Sequence, residues 1–196
     1  MFVSLEGVDG SGKSTQARLL AEALGEDTLL IREPGGTGAA ERIRELLADP
    51  ALEIDPFAEL LLFSAARADL LARVVRPALE GGRVVVADRF ADSSVAYQGG
   101  ARGLGTSYVL SLTDTVIDGL WPDVTVLLRI DPEAGLARAQ SGDRFEAEGV
   151  ELQRAVAEAY EEIAAVARDR VVVVDAEGTV DEVHQRVLAA VQSRAE

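Results

Sequence analysis

Five short apolar runs, rich in β-branched residues, punctuate the chain: Phe2-Val3-Ser4-Leu5, Thr28-Leu29-Leu30-Ile31, Val84-Val85-Val86-Ala87, Val124-Thr125-Val126-Leu127-Leu128 and Val171-Val172-Val173-Val174. None alternates apolar with polar as a half-exposed strand would, so each reads as a strand buried on both faces. Between the runs, apolar positions recur at the spacing of amphipathic helices. Buried strands alternating with helices predict an α/β fold, a doubly wound five-stranded parallel sheet with helices on both faces. Ligands of such sheets bind beyond the carboxyl ends of the strands. The residues to inspect are therefore Gly7 onward, Arg32-Glu33-Pro34, Asp88-Arg89, Asp131 and Asp175.

Helix punctuation agrees with this order. Asp55-Pro56 and Asp131-Pro132 each pair an N-cap acid with proline at the first helical position, and Thr179 with Glu182 has capping-box spacing. The helix opened by Pro56 is expected to run through Phe63 and Arg67 towards Pro77, with Gly81-Gly82 ending it. No linker, repeat or low-complexity stretch divides the chain, so residues 1–196 are expected to form a single domain. Ser141 to Gly149 reads either as a mobile loop over the sheet edge or as an ordinary connection.

Composition narrows the chemistry. At 196 residues the chain can bury roughly 70 % of its unfolded surface without staples. The absence of cysteine removes disulfides, thiolate metal sites and cysteine nucleophiles together. With no recognisable signal peptide and no apolar run of membrane-spanning length, a cytoplasmic location and no membrane partner are expected. A formal charge of -15 argues against a nucleic-acid polymer, whose backbone must be met by many cations. A small phosphorylated ligand needs only a few cations at one spot. Of the 19 basic residues only Lys13 is lysine; codon bias accounts for a general preference for arginine, but not for lysine at position 13. The one histidine, His184, lies on a helical pattern near the C-terminus and is expected at the surface. Any mechanism must then run on carboxylates, arginines, backbone amides and a metal.

Lys13 stands in Gly7-Val8-Asp9-Gly10-Ser11-Gly12-Lys13-Ser14, which fits G-x-x-x-x-G-K-[ST] between the first strand and a helical pattern beginning near Thr15. Glycines let the backbone N–H groups of this stretch, Gly7 to Thr15, turn around a β-phosphate at the positive end of the helix. Lys13 then reaches between β- and γ-phosphates, and Ser14 offers a hydroxyl to Mg²⁺. The stretch is an expected ATP site. Asp88, ending the third apolar run, can hold Mg²⁺ or its water shell. Taken alone, it reads equally as a turn or a helix cap. Arg89 adds a cation at the rim where a transferred phosphate must pass, with a surface salt bridge as the structural alternative.

After this loop come Arg32-Glu33-Pro34-Gly35-Gly36-Thr37, Phe63-Ser64-Ala65-Ala66-Arg67, Asp88-Arg89-Phe90 and Tyr97-Gln98-Gly99-Gly100. In this order and spacing they resemble the bacterial thymidylate kinases over nearly the whole chain. The resemblance implies transfer of the γ-phosphoryl group of ATP to dTMP, with Mg²⁺, in a homodimer. It implies that Phe63 stacks on thymine, that Arg67 and Arg89 hold the acceptor phosphate, and that Ser94 and Gln98 lie near the base edge. It further implies that Tyr97 lies against the deoxyribose, that Asp9 approaches the acceptor's sugar and phosphate, and that the Glu33–Pro34 bond is cis. Each role is chemically apt, since aromatic faces stack on bases and arginine forks grip phosphate. Taken alone, Phe63 reads as a core aromatic and Arg67 as a solvated helix residue, while Tyr97 stays undecided. The loop lacks the arginine that some members carry there, so the resemblance points to cations on a lid at about 138–149, with Arg138 and Arg144 as candidates beside Lys13 and Arg89 for stabilising the transfer.

Two rivals remain. A kinase of another nucleoside monophosphate or small metabolite would keep the phosphate loop and differ around Phe63 to Gln98. A GTPase switch has only Asp175-Ala176-Glu177-Gly178 in its favour, too late in the chain, and no N-K-x-D is possible with a single lysine. The apolar helices around Leu60 to Leu71 and Val109 to Ile117 read as a dimer interface or as core.

Overall fold

In the computed structural model, which describes residues 1–139, 144 and 148–194, the apolar runs become parallel strands. These are β1 (Phe2–Glu6), β2 (Leu29–Arg32), β3 (Val85–Asp88), β4 (Val124–Arg129) and β5 (Val171–Asp175). Across the sheet they run β2-β3-β1-β4-β5. The chain leaves the central β1 first to one side and later to the other, so the crevice at the carboxyl end of β1 is where such a sheet binds its ligand. The expectation of burial on both faces holds for β1 and β3, and for β4 up to its last residue. It fails for β2 and β5, which are partly exposed. Each of these has a neighbour on one side only, which leaves its other edge uncovered.

Pleating divides the core into two layers. Val3, Leu5, Val86, Val126 and Val174 point into one, with α1 (Lys13–Leu24), the later helix Val150–Val166 and the last helix Val180–Gln192. Phe2, Ile31, Val85 and Ala87 point into the other, with Leu70, Leu71, Val75 and Ile117. Among the described residues, the helical elements between α1 and Val150 include α2 (Gly38–Ala48), α3 (Pro56–Leu70), α4 (Arg76–Glu80), α5 (Ala91–Ser94), α6 (Thr106–Ile117) and α7 (Pro132–Arg138); Val150–Val166 is α8 and Val180–Gln192 is α9.

The expected caps form. The Asp55 and Asp131 side chains accept from backbone N–H groups at the starts of α3 and α7, and Thr179 and Glu182 complete the capping box of α9. Each is worth about 1 kcal/mol. The long helix expected after Pro56 is interrupted by a π-helical turn, Leu71–Val75, in which the Arg76 N–H reaches back to the Leu71 carbonyl. Pro77 lacks an N–H, and its ring would press on the Arg73 carbonyl in a regular α-helix, which the wider turn relieves. His184 is half-buried rather than fully exposed. Among the described residues no helix is long and apolar enough to cross a membrane.

Candidate active site

The loop between β1 and α1 closes over its own lysine. Gly12, with φ 90°, turns the chain into α1 without a side-chain cap, which leaves the first N–H groups of that helix pointing outward for an anion. Lys13 is 6 % exposed. Its Nζ donates to the Val8 carbonyl at 2.6 Å and to Ser11 Oγ at 3.3 Å. Burial, and then the charge of Arg89, bring its pKa down to about 8. Ser14 and Thr15 stay exposed at the mouth. Helix α7 bears directly on this loop: Gly10 has φ 70°, and a Cβ there would run into the Gly135 carbonyl. A Cβ on Gly135 would in turn lie 2.6 Å from the Asp9 carbonyl, so both glycines are required by close backbone approach.

Beside the loop, Asp88 ends β3 opposite Leu5 of β1, and it is 8 % exposed. Ser14 and Asp88 are hard oxygen donors, and among the described residues no group of three or more carboxylates or imidazoles gathers for a metal. Such a pair suits Mg²⁺, which takes one or two protein oxygens together with phosphates and water.

Arg89 adopts a left-handed backbone, φ 67°, which costs roughly 1–2 kcal/mol for a non-glycine residue. The turn aims the guanidinium back across the loop. It donates to the Gly7 carbonyl at 3.2 Å, to Ser93 Oγ at 3.3 Å, to Tyr97 OH at 3.1 Å and to the Asp9 carboxylate. It also lies over the Tyr97 ring, 5.0 Å from the centroid. Gln153, fully buried on α8, grips Asp9 twice: its Nε2 donates to Oδ2 at 2.7 Å, and its Oε1 accepts from the Asp9 N–H at 3.0 Å. Burial alone would raise the Asp9 carboxyl; Arg89, Lys13, Gln153 and Tyr97 together outweigh it and hold the group below the usual carboxylate range.

Asp9 and Arg89 also form one wall of a cleft of about 640 Å³, part of it open to solvent. Phe63, Ser93, Ser94, Tyr97 and Gln98 line it together with Glu33, Pro34, Arg44, Leu47 and Ala48. Tyr97 and Gln98 lie on a π-helical stretch, Val95–Ala101, which continues α5; such turns recur at functional sites. The Glu33–Pro34 bond is cis. Arg67, 1 % exposed, is bound beneath: it donates to Glu33 at 2.8 Å, to Ser94 Oγ at 3.0 Å and to the Phe90 carbonyl at 3.1 Å.

Under Arg89 lies a carboxylate that the sequence reading did not single out. Glu6, fully buried at the end of β1, accepts from the Phe90 N–H, Ser93 Oγ and Tyr160 OH. Burial, and then Asp92, raise its pKa to about 7, while the hydrogen bonds and Arg89 oppose the rise. The folded protein therefore holds this proton where the unfolded chain, near 4.5, has released it. The associated stability is present below the unfolded value and is lost as pH rises to about 7. Glu6→Gln should remove that slope. Urea melts at pH 5 and pH 8 should show a stability difference smaller in the variant by up to about 3 kcal/mol; equal differences would mean that Glu6 titrates normally.

The lid candidates separate. Arg138 ends α7, exposed, one turn beyond the contact with the loop. Arg144 lies on the other side, 9 % exposed, donating to the Leu47 carbonyl at 3.0 Å and to Glu59 Oε2 at 2.6 Å. Glu59 draws it to the wall of the cleft rather than over the loop. Gln140 to Asp143 and Phe145 to Ala147, most of the expected lid, lie outside the described residues. Besides Glu6, the sequence reading passed over Gln153, Glu59 and Arg44. Gln153 and Glu59 carry a usable signal, since each is a polar residue on the apolar stripe of its helix, with Val156 and Tyr160 in one case and Phe63 and Leu70 in the other.

A family model described as thymidylate kinase matches residues 5–187. The chain is 44 % identical over 196 residues to a thymidylate kinase of Halothermothrix orenii, covering 95 % of this chain and 94 % of that one. It is 45 % identical over 200 residues to a thymidylate kinase of Deinococcus radiodurans, covering 99 % and 97 %. Its structure is similar to the crystal structure of a thymidylate kinase from Ehrlichia chaffeensis, with a TM-score of 0.82 and 35 % identity over 98 % of each chain.

Proposed function

The chain belongs to the thymidylate kinase family of ATP-dependent phosphotransferases, and from that premise we propose that it moves the γ-phosphoryl group of ATP to dTMP. The products are dTDP and ADP, on the way to dTTP and DNA precursors. The observation that carries this reading is the shared wall. Asp9 and Arg89 border both the phosphate loop and a cleft lined by an aromatic ring, hydroxyls and an amide suited to a nucleoside monophosphate, so donor and acceptor phosphates can meet in line.

In this reading Gly7 to Thr15 hold the ATP phosphates, and Lys13 turns from the Val8 carbonyl to the β- and γ-oxygens. Ser14 and Asp88 would hold Mg²⁺, which supplies charge neutralisation on the phosphates. Phe63 stacks on the base, Ser94 and Gln98 meet its edge, and Arg89 takes the acceptor phosphate. Arg67, tied to Ser94 and Glu33, acts on the acceptor by shaping the floor. No protein base is needed, because the attacking phosphate oxygen is already ionised at neutral pH. A single kinase domain with its lid at about 138–149, most of which lies outside the described residues, is part of this proposal, and Arg138 is the better placed of the lid's two cations. The exposed apolar residues Phe57, Leu61, Tyr108 and Leu110 of α3 and α6 favour a homodimer, and the lack of cysteine favours the cytoplasm. A coupled assay with ATP and each nucleoside monophosphate tests the reading. dTMP should be the best acceptor; a better one among the others would make the chain a kinase of that nucleotide.

The sugar gives a further expectation. Tyr97 lines the cleft with its hydroxyl already engaged by Arg89 and Asp9. A ribose 2′-hydroxyl pressed against the ring would lose water and gain no partner, at roughly ten- to a hundredfold in kcat/KM. dTMP should therefore be preferred to its ribose counterpart, and Tyr97→Ala should shrink that preference without changing ATP binding. An unchanged ratio would remove Tyr97 from the sugar site.

A further inference from the structure

Behind the cleft, Glu59 of α3 is fully buried, and its carboxylate accepts from Gln98, which lines the cleft, and from Arg102 and Arg144. Its Oε1 accepts from Gln98 Nε2 at 2.7 Å and Arg102 Nε at 3.3 Å. Its Oε2 accepts from Arg102 at 3.2 Å and Arg144 at 2.6 Å. A carboxylate paired with two guanidinium groups accepts hydrogen bonds and donates none. The Gln98 side chain must therefore turn its NH₂ towards Glu59. That fixes the amide one way round, although an amide's two ends are otherwise nearly the same in shape. Gln98 Oε1 is left on the cleft side. It has no hydrogen bond to any described residue, yet it is not among the buried atoms sealed off without a partner, and Gln98 lines the cleft.

We infer that Glu59 determines which pyrimidines the enzyme accepts, by locking Gln98 so that a carbonyl oxygen rather than an NH₂ faces the base. The inference rests on reading the cleft as the monophosphate site. A fixed acceptor at the base edge requires a donor opposite. Thymine and uracil present N3–H there; cytosine presents an unprotonated N3, so two lone pairs would confront each other. Glu59 touches no substrate in this scheme. It is a positioning residue, and Arg102 and Arg144 serve it by compensating its buried charge. Arg144 thereby contributes to base recognition through Glu59.

The discriminating variant is Glu59→Gln, which keeps the volume but can donate as well as accept, so that Gln98 is free to present either end. Steady-state kcat/KM would be measured for dTMP, dUMP and dCMP with saturating ATP, after thermal melts establish that the variant is folded. The ratio of dTMP to dCMP should fall about tenfold or more, while the ratio of dTMP to dUMP, which both carry N3–H, should stay within about twofold of wild type. A loss shared equally by all three acceptors, or an unchanged dTMP to dCMP ratio, would overturn the inference. Should the variant not fold, wild type decides it by competition: dTMP methylated at N3 should bind at least ~10-fold more weakly than dTMP, and equal binding would show that Gln98 Oε1 accepts nothing from N3. A wild type that phosphorylated no pyrimidine monophosphate would sink the reading of the cleft together with this inference, whereas activity on dTMP with insensitive ratios would sink the inference alone.

Discussion

Replacing Lys13 by Ala is expected to lower kcat by at least about a hundredfold while the protein stays folded. The lysine's hydrogen bonds are confined to its own loop, to Val8 and Ser11, so no distant element depends on it. Its burial already presses the charge out, bringing the pKa to about 8, and alanine relieves that cost. What alanine cannot replace is the cation between the β- and γ-phosphates, where negative charge redistributes as the bond to the leaving oxygen breaks. A second measurement follows from the same side chain. Above pH 8 the free protein progressively loses the Lys13 proton, and bound phosphates restore it. Wild-type ATP binding should therefore take up a proton and weaken as pH rises past 8, a trend absent from Lys13→Ala. Turnover within about threefold of wild type, or identical pH trends, would show that the donor phosphates lie elsewhere.

The lysine was legible in the sequence because its signal is local. A strand, a glycine-rich octet and a helix follow one another without a gap, and the meaning of each is set by neighbours within a few residues. The same holds for the five strands, the Asp55 and Asp131 caps and the strand-end pair Asp88-Arg89. The architecture of the acceptor side was less legible, because it is assembled from residues far apart in the chain. Gln153 reaches Asp9 across 144 positions, and Arg144 reaches Glu59 across 85. Arg144 sits on a segment whose charge suggested a lid over phosphate, and only tertiary packing brings Glu59 within its reach. Glu6, Glu59 and Gln153 share one trait that sequence does show: each is polar at a position where the strand or helix pattern calls for an apolar side chain. Burial of such a group needs partners, and among those partners Ser93 and Gln98 line the cleft, Asp9 belongs to the phosphate loop and Phe90 follows Arg89.

Arg89 is where these parts meet, and its removal should be nearly as damaging as that of Lys13. Its left-handed backbone and its contacts with Gly7, Ser93, Tyr97 and Asp9 fix the guanidinium between loop and cleft before any ligand arrives. Arg89→Ala would remove the cation facing the acceptor phosphate. It would also leave Asp9, held on its far side by Gln153, without its ion-pair partner and facing that phosphate. With the cation that meets the developing phosphate charge gone, kcat/KM for dTMP should fall about 10²- to 10⁴-fold. ATP affinity should change less than about tenfold, because the loop amides and Lys13 remain. Arg89→Lys should recover only part of the loss, since one ammonium cannot span four acceptors that two guanidinium nitrogens now serve. The decisive arm is Asp9→Asn in the Arg89→Ala background. If repulsion from the stranded carboxylate is a large part of the damage, the double variant should be more active than the sum of the two single losses predicts, and in favourable conditions more active than Arg89→Ala itself. Strictly additive losses in that double-mutant cycle would mean that Asp9 and Arg89 act on the acceptor independently, and that their ion pair is only a feature of the free protein.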